Sequence, residues 1–142
     1  MKLLLACPSA ALLLAVAALA GEPPTRRAGE WQITIIRKDG SEAAPEHFCY
    51  RAASFPDITK RMGTCSKRDI RTVGNTTTID AICTKDNRQA TLHMTITAPS
   101  DTAYHADMHI TYSPPIDGTT DVDMVQDAKW LGPCSPGEMP VD

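Results

Sequence analysis

Thr91-Leu92-His93-Met94-Thr95-Ile96-Thr97-Ala98 is followed, beyond the breaker Pro99-Ser100-Asp101, by Tyr104-His105-Ala106-Asp107-Met108-His109-Ile110-Thr111-Tyr112. In both runs apolar and polar residues alternate, the period of a strand with one buried face and one wet face. Leu92, Met94 and Ile96 then share a face with Tyr104, Ala106, Met108 and Ile110, because any other register would turn one apolar set into water. The two runs are read as a half-buried antiparallel hairpin.

The same period continues outward from this hairpin. Residues 31–35 alternate before Lys38-Asp39-Gly40, residues 47–51 form a short second strand, and residues 70–73 and 76–82 flank Gly74-Asn75, which supplies the positive φ of a tight turn. Val122 and Met124 alternate with Asp121 and Asp123, so a last strand is expected over residues 120–125. Only residues 55–63 read as a helical turn, with Gly63 as its terminator. The expected class is all-β: a curved antiparallel meander sheet or partial barrel of about six or seven strands.

Lys2, the apolar residues 3–19 and Ala18-Leu19-Ala20 have the order of an export signal with a cleavage site, so residues 1–20 are expected to be removed, Cys7 with them. Pro8 and Ser9 interrupt the apolar run and argue against a membrane span, leaving residues 21–142 as a single domain with no transmembrane segment. The net charge of the whole chain is −3 and becomes −4 without Lys2, which disfavours nucleic acid as a partner. Basic residues gather in residues 51–71 and acidic ones from Asp101 onward, a distribution read as solvated faces.

Four cysteines remain after processing. Cys65 and Cys83 are equidistant from Gly74, so a three-residue loop there would place them opposite each other, whereas a two-residue Gly74-Asn75 turn pairs Ile70 with Ile79 and demands a bulge. Bonding of Cys65 to Cys83 is the first choice, which leaves Cys49 for Cys134; four thiols allow three connectivities, and the other two stay open. The gaps are too long for the paired ligands of a four-cysteine zinc site and contain no C-x-x-C redox pair, so disulfides in an oxidising compartment are expected.

Gly29-Glu30-Trp31, the three cysteines that follow and the closing Trp130-Leu131-Gly132-Pro133-Cys134 resemble the exported bacterial proteins grouped as domain-of-unknown-function family 3617. The resemblance spans residues 29–134, and its most specific part is the Trp-Leu-Gly-Pro-Cys ending. Cys49-Tyr50-Arg51-Ala52 departs from the Thr-Pro-Glu-like continuation usual after the first cysteine. The resemblance implies a periplasmic domain and carries over no catalytic residue. It also implies a bacterial source, which makes the glycosylation-like Asn75-Thr76-Thr77 a turn and nothing more.

One cluster on the wet side of the central hairpin has metal-binding chemistry. With the turn centred near Ser100, His93 opposes Asp107, and His105 and His109 lie diagonal to it, so His93, Asp107 and one further histidine would suit zinc or copper. An ordinary polar face, with His93 hydrogen-bonded to Asp107, accounts for the same residues and is preferred. No Gly-x-Ser-x-Gly elbow accompanies His93 and Asp107, and Asp117, Asp121, Asp123 and Asp127 read as a solubilising edge rather than as sugar-cleaving carboxylates or a calcium loop. A curled sheet could instead enclose a lipid or another apolar ligand on its apolar side, and a cavity of several hundred Å3 there would separate that reading from plain core packing. The expectation is a non-enzymatic periplasmic binding or structural module of the cell envelope without a cofactor. A periplasmic zinc or copper binder using His93, His105, Asp107 and His109 is the alternative.

Overall fold

Among the described residues the alternating segments form seven strands: β1 (Gly29–Arg37), β2 (Glu46–Tyr50), β3 (Thr64–Val73), β4 (Thr76–Lys85), β5 (Arg88–Ser100), β6 (Ala103–Ile116) and β7 (Thr119–Gly132), with one 3-10 turn at Ile58–Met62. The structure, a computed structural model, describes residues 25–51, 58–137 and 139. The expected signal segment 1–20, the new N-terminus at Gly21 and Phe55-Pro56-Asp57 of the expected helical turn lie outside the described residues.

All seven strands join one open antiparallel sheet in the order β2-β1-β7-β6-β5-β4-β3. The meander runs from β3 to β7, and the β1–β2 hairpin completes the sheet on the far side of β7. Laid flat, seven strands would span about 29 Å at the usual spacing. Phe48 of β2 and Ile70 of β3, from opposite edges, nonetheless line one cavity, so the sheet is strongly curled. Its inner face carries the core, including Trp31, Ile79, Leu92, Ile96 and Met108, while the alternate residues of β5 and β6 are exposed or half-exposed. Burying each such side chain contributes on the order of 1.5–3 kcal/mol.

Turns set the register and bulges correct it. At Gly74-Asn75 the turn has two residues, with Gly74 at φ 61°, and Val73 pairs with Thr76 and Ile70 with Ile79. A register shift between Cys65 and Lys67 leaves Ser66 as the extra residue and brings Cys65 opposite Cys83. Of the two routes to the pairing, a three-residue loop or a two-residue turn with a bulge, the chain takes the second, and the cysteines meet. Disulfides join Cys65 to Cys83 and Cys49 to Cys134.

The β5–β6 register also differs from expectation. His93 pairs with His109, and Asp107 with Thr95, because the tight turn centres on Asp101-Thr102 and a shift follows between Thr97 and Ser100. Pro99, which has no N–H to give to the ladder, sits in that shift, and the Ala98 N–H instead donates to the Asn75 carbonyl at 2.9 Å. The displacement is two residues, so every side chain keeps its expected face.

Candidate functional site

The wet face of β4 to β7 gathers three of the four expected metal ligands as imidazoles, each beside an aspartate. His93 Nδ1 lies 2.7 Å from Asp80 Oδ1, His109 Nδ1 2.6 Å from Asp123 Oδ1, and His105 Nδ1 2.7 Å from Asp127 Oδ1. Asp107, expected opposite His93, approaches His105 Nε2 instead, at 3.3 Å. Lys38 closes the row from β1's end with a 2.8 Å ion pair to Asp123. The strand pairs dictate these contacts: Asp80 faces His93, His109 faces Asp123, and His105 faces Asp127. Among the described residues, no three His, Cys, Asp or Glu side chains form a group that could hold a metal ion. The arrangement is a set of carboxylate–imidazole pairs in water, and it can exchange protons with solvent. His105 is held protonated to higher pH than usual, chiefly by the hydrogen bond to Asp127.

The concave face offers a different chemistry. A cavity of about 300 Å3 opens there, walled by apolar side chains such as Ile33, Phe48, Ile79, Met94, Ile96 and Met108. Every strand contributes: Glu46 and Tyr50 from β2, Arg68 and Ile70 from β3, Tyr104 from β6 and Gln126 from β7 complete the wall, with Ile58 and Arg61 from the 3-10 turn. Inward-facing methionines give such a wall adaptable shape.

Arg26, just ahead of β1, also faces this cavity and is only 3% exposed. Its guanidinium carbon lies 3.4 Å from the centre of the Tyr50 ring, a stacking contact that compensates part of the cost of burying the cation. Burial lowers the Arg26 pKa, with Tyr50 opposing. Burial pushes the Tyr104 phenol up to about 12, so it stays neutral and is an O–H donor at physiological pH. Arg61 and Arg68, both exposed, bring two more positive charges to the lining.

Leu92, Met94, Ile96, Tyr104, Met108 and Ile110, expected on the apolar side, are buried there, and Tyr112, expected with them, is half-buried against the same core. Arg26, Tyr50, Arg61 and Arg68 were not legible as site residues. Arg26 follows a proline-containing linker, Tyr50 and Arg68 belong to edge strands, and only the curl of the sheet brings them to one cavity.

Among the described residues, no helix is long and apolar enough to cross a membrane. No curated protein and no solved structure matches the chain. Of the segments that carried the family resemblance, the first and the last meet at one end of the sheet, where Trp31 pairs with Trp130, Glu30 with Gly132, and Cys49 is bonded to Cys134, while Cys65–Cys83 joins β3 to β4 on the other side. The family described as "Protein of unknown function (DUF3617)" matches residues 26–134, and the chain belongs to it.

Proposed function

We propose that this protein is an exported, non-enzymatic binding module of the bacterial periplasm that takes a small apolar molecule into the concave face of its sheet. The observation that carries the reading is the 300 Å3 cavity on that face, where a simple packed core would have closed. Its volume is at the lower end of small-molecule sites, and its wall mixes many apolar side chains with a few polar ones, the usual composition of such sites. Glu46 is the one carboxylate among the described lining residues, so the paired carboxylates of acid–base hydrolysis do not face each other there. Two disulfides in one small domain support an oxidising compartment, and the export signal read over residues 1–20 supports the periplasm.

The test is titration of the purified protein with N-phenyl-1-naphthylamine, a neutral fluorophore that brightens in apolar surroundings. Saturable binding is expected, together with its loss in Met94→Trp, whose indole would fill the cavity. Absence of saturable fluorescence in the wild-type protein would overturn the reading.

A further inference from the structure

We infer that the cavity's ligand is a single-chain amphiphile with one anionic end, of the class of a medium-chain carboxylate; the inference rests on the ligand-binding reading above. Size restricts the choice first. A volume of about 300 Å3 suits one chain or one small ring system and leaves no room for a two-chained lipid.

Charge restricts it further. The charged side chains of the described lining are Arg26, Arg61, Arg68 and Glu46, an excess of positive charge in a chain whose net charge is −3. These cations are unevenly placed. Arg26 is buried and stacked on Tyr50 of β2, at one edge of the sheet, whereas Arg61 and Arg68 enter from the 3-10 turn and β3 at the other edge. Between the two edges the wall is apolar, with Ile79, Met94, Ile96 and Met108 at its centre. An apolar chain fits along that wall, with arginine side chains at both of its edges. Each guanidinium carries five N–H donors in a planar fork, so it can accept a carboxylate in addition to the contacts it already makes. At the β2 edge Glu46 offsets Arg26, whereas Arg61 and Arg68 at the other edge face a ligand cation with like charge only, and a neutral chain would leave this complementarity unused.

The deciding experiment is displacement of N-phenyl-1-naphthylamine by decanoate, 1-decanol and decyltrimethylammonium at low ionic strength. Decanoate is expected to displace the fluorophore at a concentration at least tenfold lower than decanol, with the ammonium weakest. The preference should shrink to less than threefold in Arg61→Gln/Arg68→Gln or in Arg26→Met, and the variant that loses it identifies the edge that holds the carboxylate. Because Arg26 is buried and its replacement puts the fold at risk, the exposed pair is the primary variant. Equal displacement by decanoate and decanol, tighter binding of the ammonium, or a preference unchanged in both variants would overturn the anionic ligand and leave the apolar site standing. If the fluorophore itself fails to bind, both conclusions fall.

Discussion

His93 stands directly opposite His109 across β5 and β6, and the row continues to Asp80 on one side and Asp123 on the other. Each imidazole is tied through Nδ1 to the outer carboxylate, His109 Nε2 already lies 3.3 Å from Thr111 Oγ1 and 3.8 Å from Asp121 Oδ1, and among the described residues no three such side chains form a group that could hold a metal ion. Zinc titration by calorimetry is therefore expected to give no site tighter than about millimolar, equivalent to about −4 kcal/mol. A micromolar site abolished by His93→Ala/His109→Ala would reinstate the metal centre.

The same face gives a pH dependence whose sign can be worked out. His105 has its pKa raised in the folded state, first by the bond to Asp127. Its contribution to stability is complete below the unfolded value of about 6.5 and is lost as pH rises through the folded value. Asp123 is shifted the opposite way, its pKa lowered mainly by Lys38 and then by His109. Its contribution is present above the unfolded carboxylate value of about 3.9 and is lost as pH falls through the folded one. Both favour the fold between about pH 4 and 6.5, and both are small because the groups lie in water. In Asp127→Asn the His105 midpoint, followed by NMR of its ring protons, should fall toward 6.5; an unmoved midpoint would contradict the assignment.

Ser66 offers a sharper test of the register. Continuing the Ile70–Ile79 pairing along β3 puts position 66, not 65, opposite Cys83, and the bulge absorbs this one-residue difference. Deleting Ser66 should move Cys65 into that position, remove the bulge and preserve the bridge. The expected variant keeps both disulfides by intact mass and loses less than about 2 kcal/mol in denaturant unfolding, within the ordinary range for a single change. A free-thiol signal from Cys65 would refute the pairing.

The two bridges should differ in weight. They close sequence separations of 18 and 85 residues. Chain entropy then assigns about 3 kcal/mol to Cys65–Cys83 and about 4.5 kcal/mol to Cys49–Cys134. Paired alanine replacements, compared by urea unfolding, should rank in that order.

What the sequence disclosed and what it withheld divide along physical lines. Which face of β5 and β6 is apolar was readable from alternation alone, because a displacement of two residues leaves every side chain on the same side. The partner of His93 was not readable, since it depends on the shift at Pro99 and on the position of the Asp101-Thr102 turn. Some signals were present but not absorbed. Asp86-Asn87 and Asp117-Gly118 both take positive φ and form the turns that open β5 and β7, which extends β4 to Lys85 and makes β7 a strand of 14 residues. The pairing of β1 with β7 joins residues about a hundred positions apart and leaves no local trace, and the cavity needs that pairing to exist.

The end of the sheet where β1 meets β7 accounts for the first and last motifs of the family resemblance in structural terms. Gly29 has φ 136°, and a β-carbon there would collide with the Gly132 carbonyl oxygen and the Trp130 indole. Trp31 is 1% exposed, donates from Nε1 to the Arg27 carbonyl at 2.8 Å and packs its ring 5.7 Å from that of Tyr104. Trp130 Nε1 donates to the Ala28 carbonyl at 3.1 Å, and Cys49–Cys134 closes the same corner. These residues clasp β1 to β7 and do not line the cavity, so their loss should reduce stability without changing ligand preference. Gly29→Ala combines a strained φ with a backbone collision and should cost about 2 kcal/mol or more, and Trp31→Ala about 3–5 kcal/mol through the void it leaves. In both variants, at temperatures where they remain folded, decanoate should retain its advantage over decanol. A clasp variant that stayed fully stable yet lost that preference would place ligand recognition at this corner instead of among the arginines.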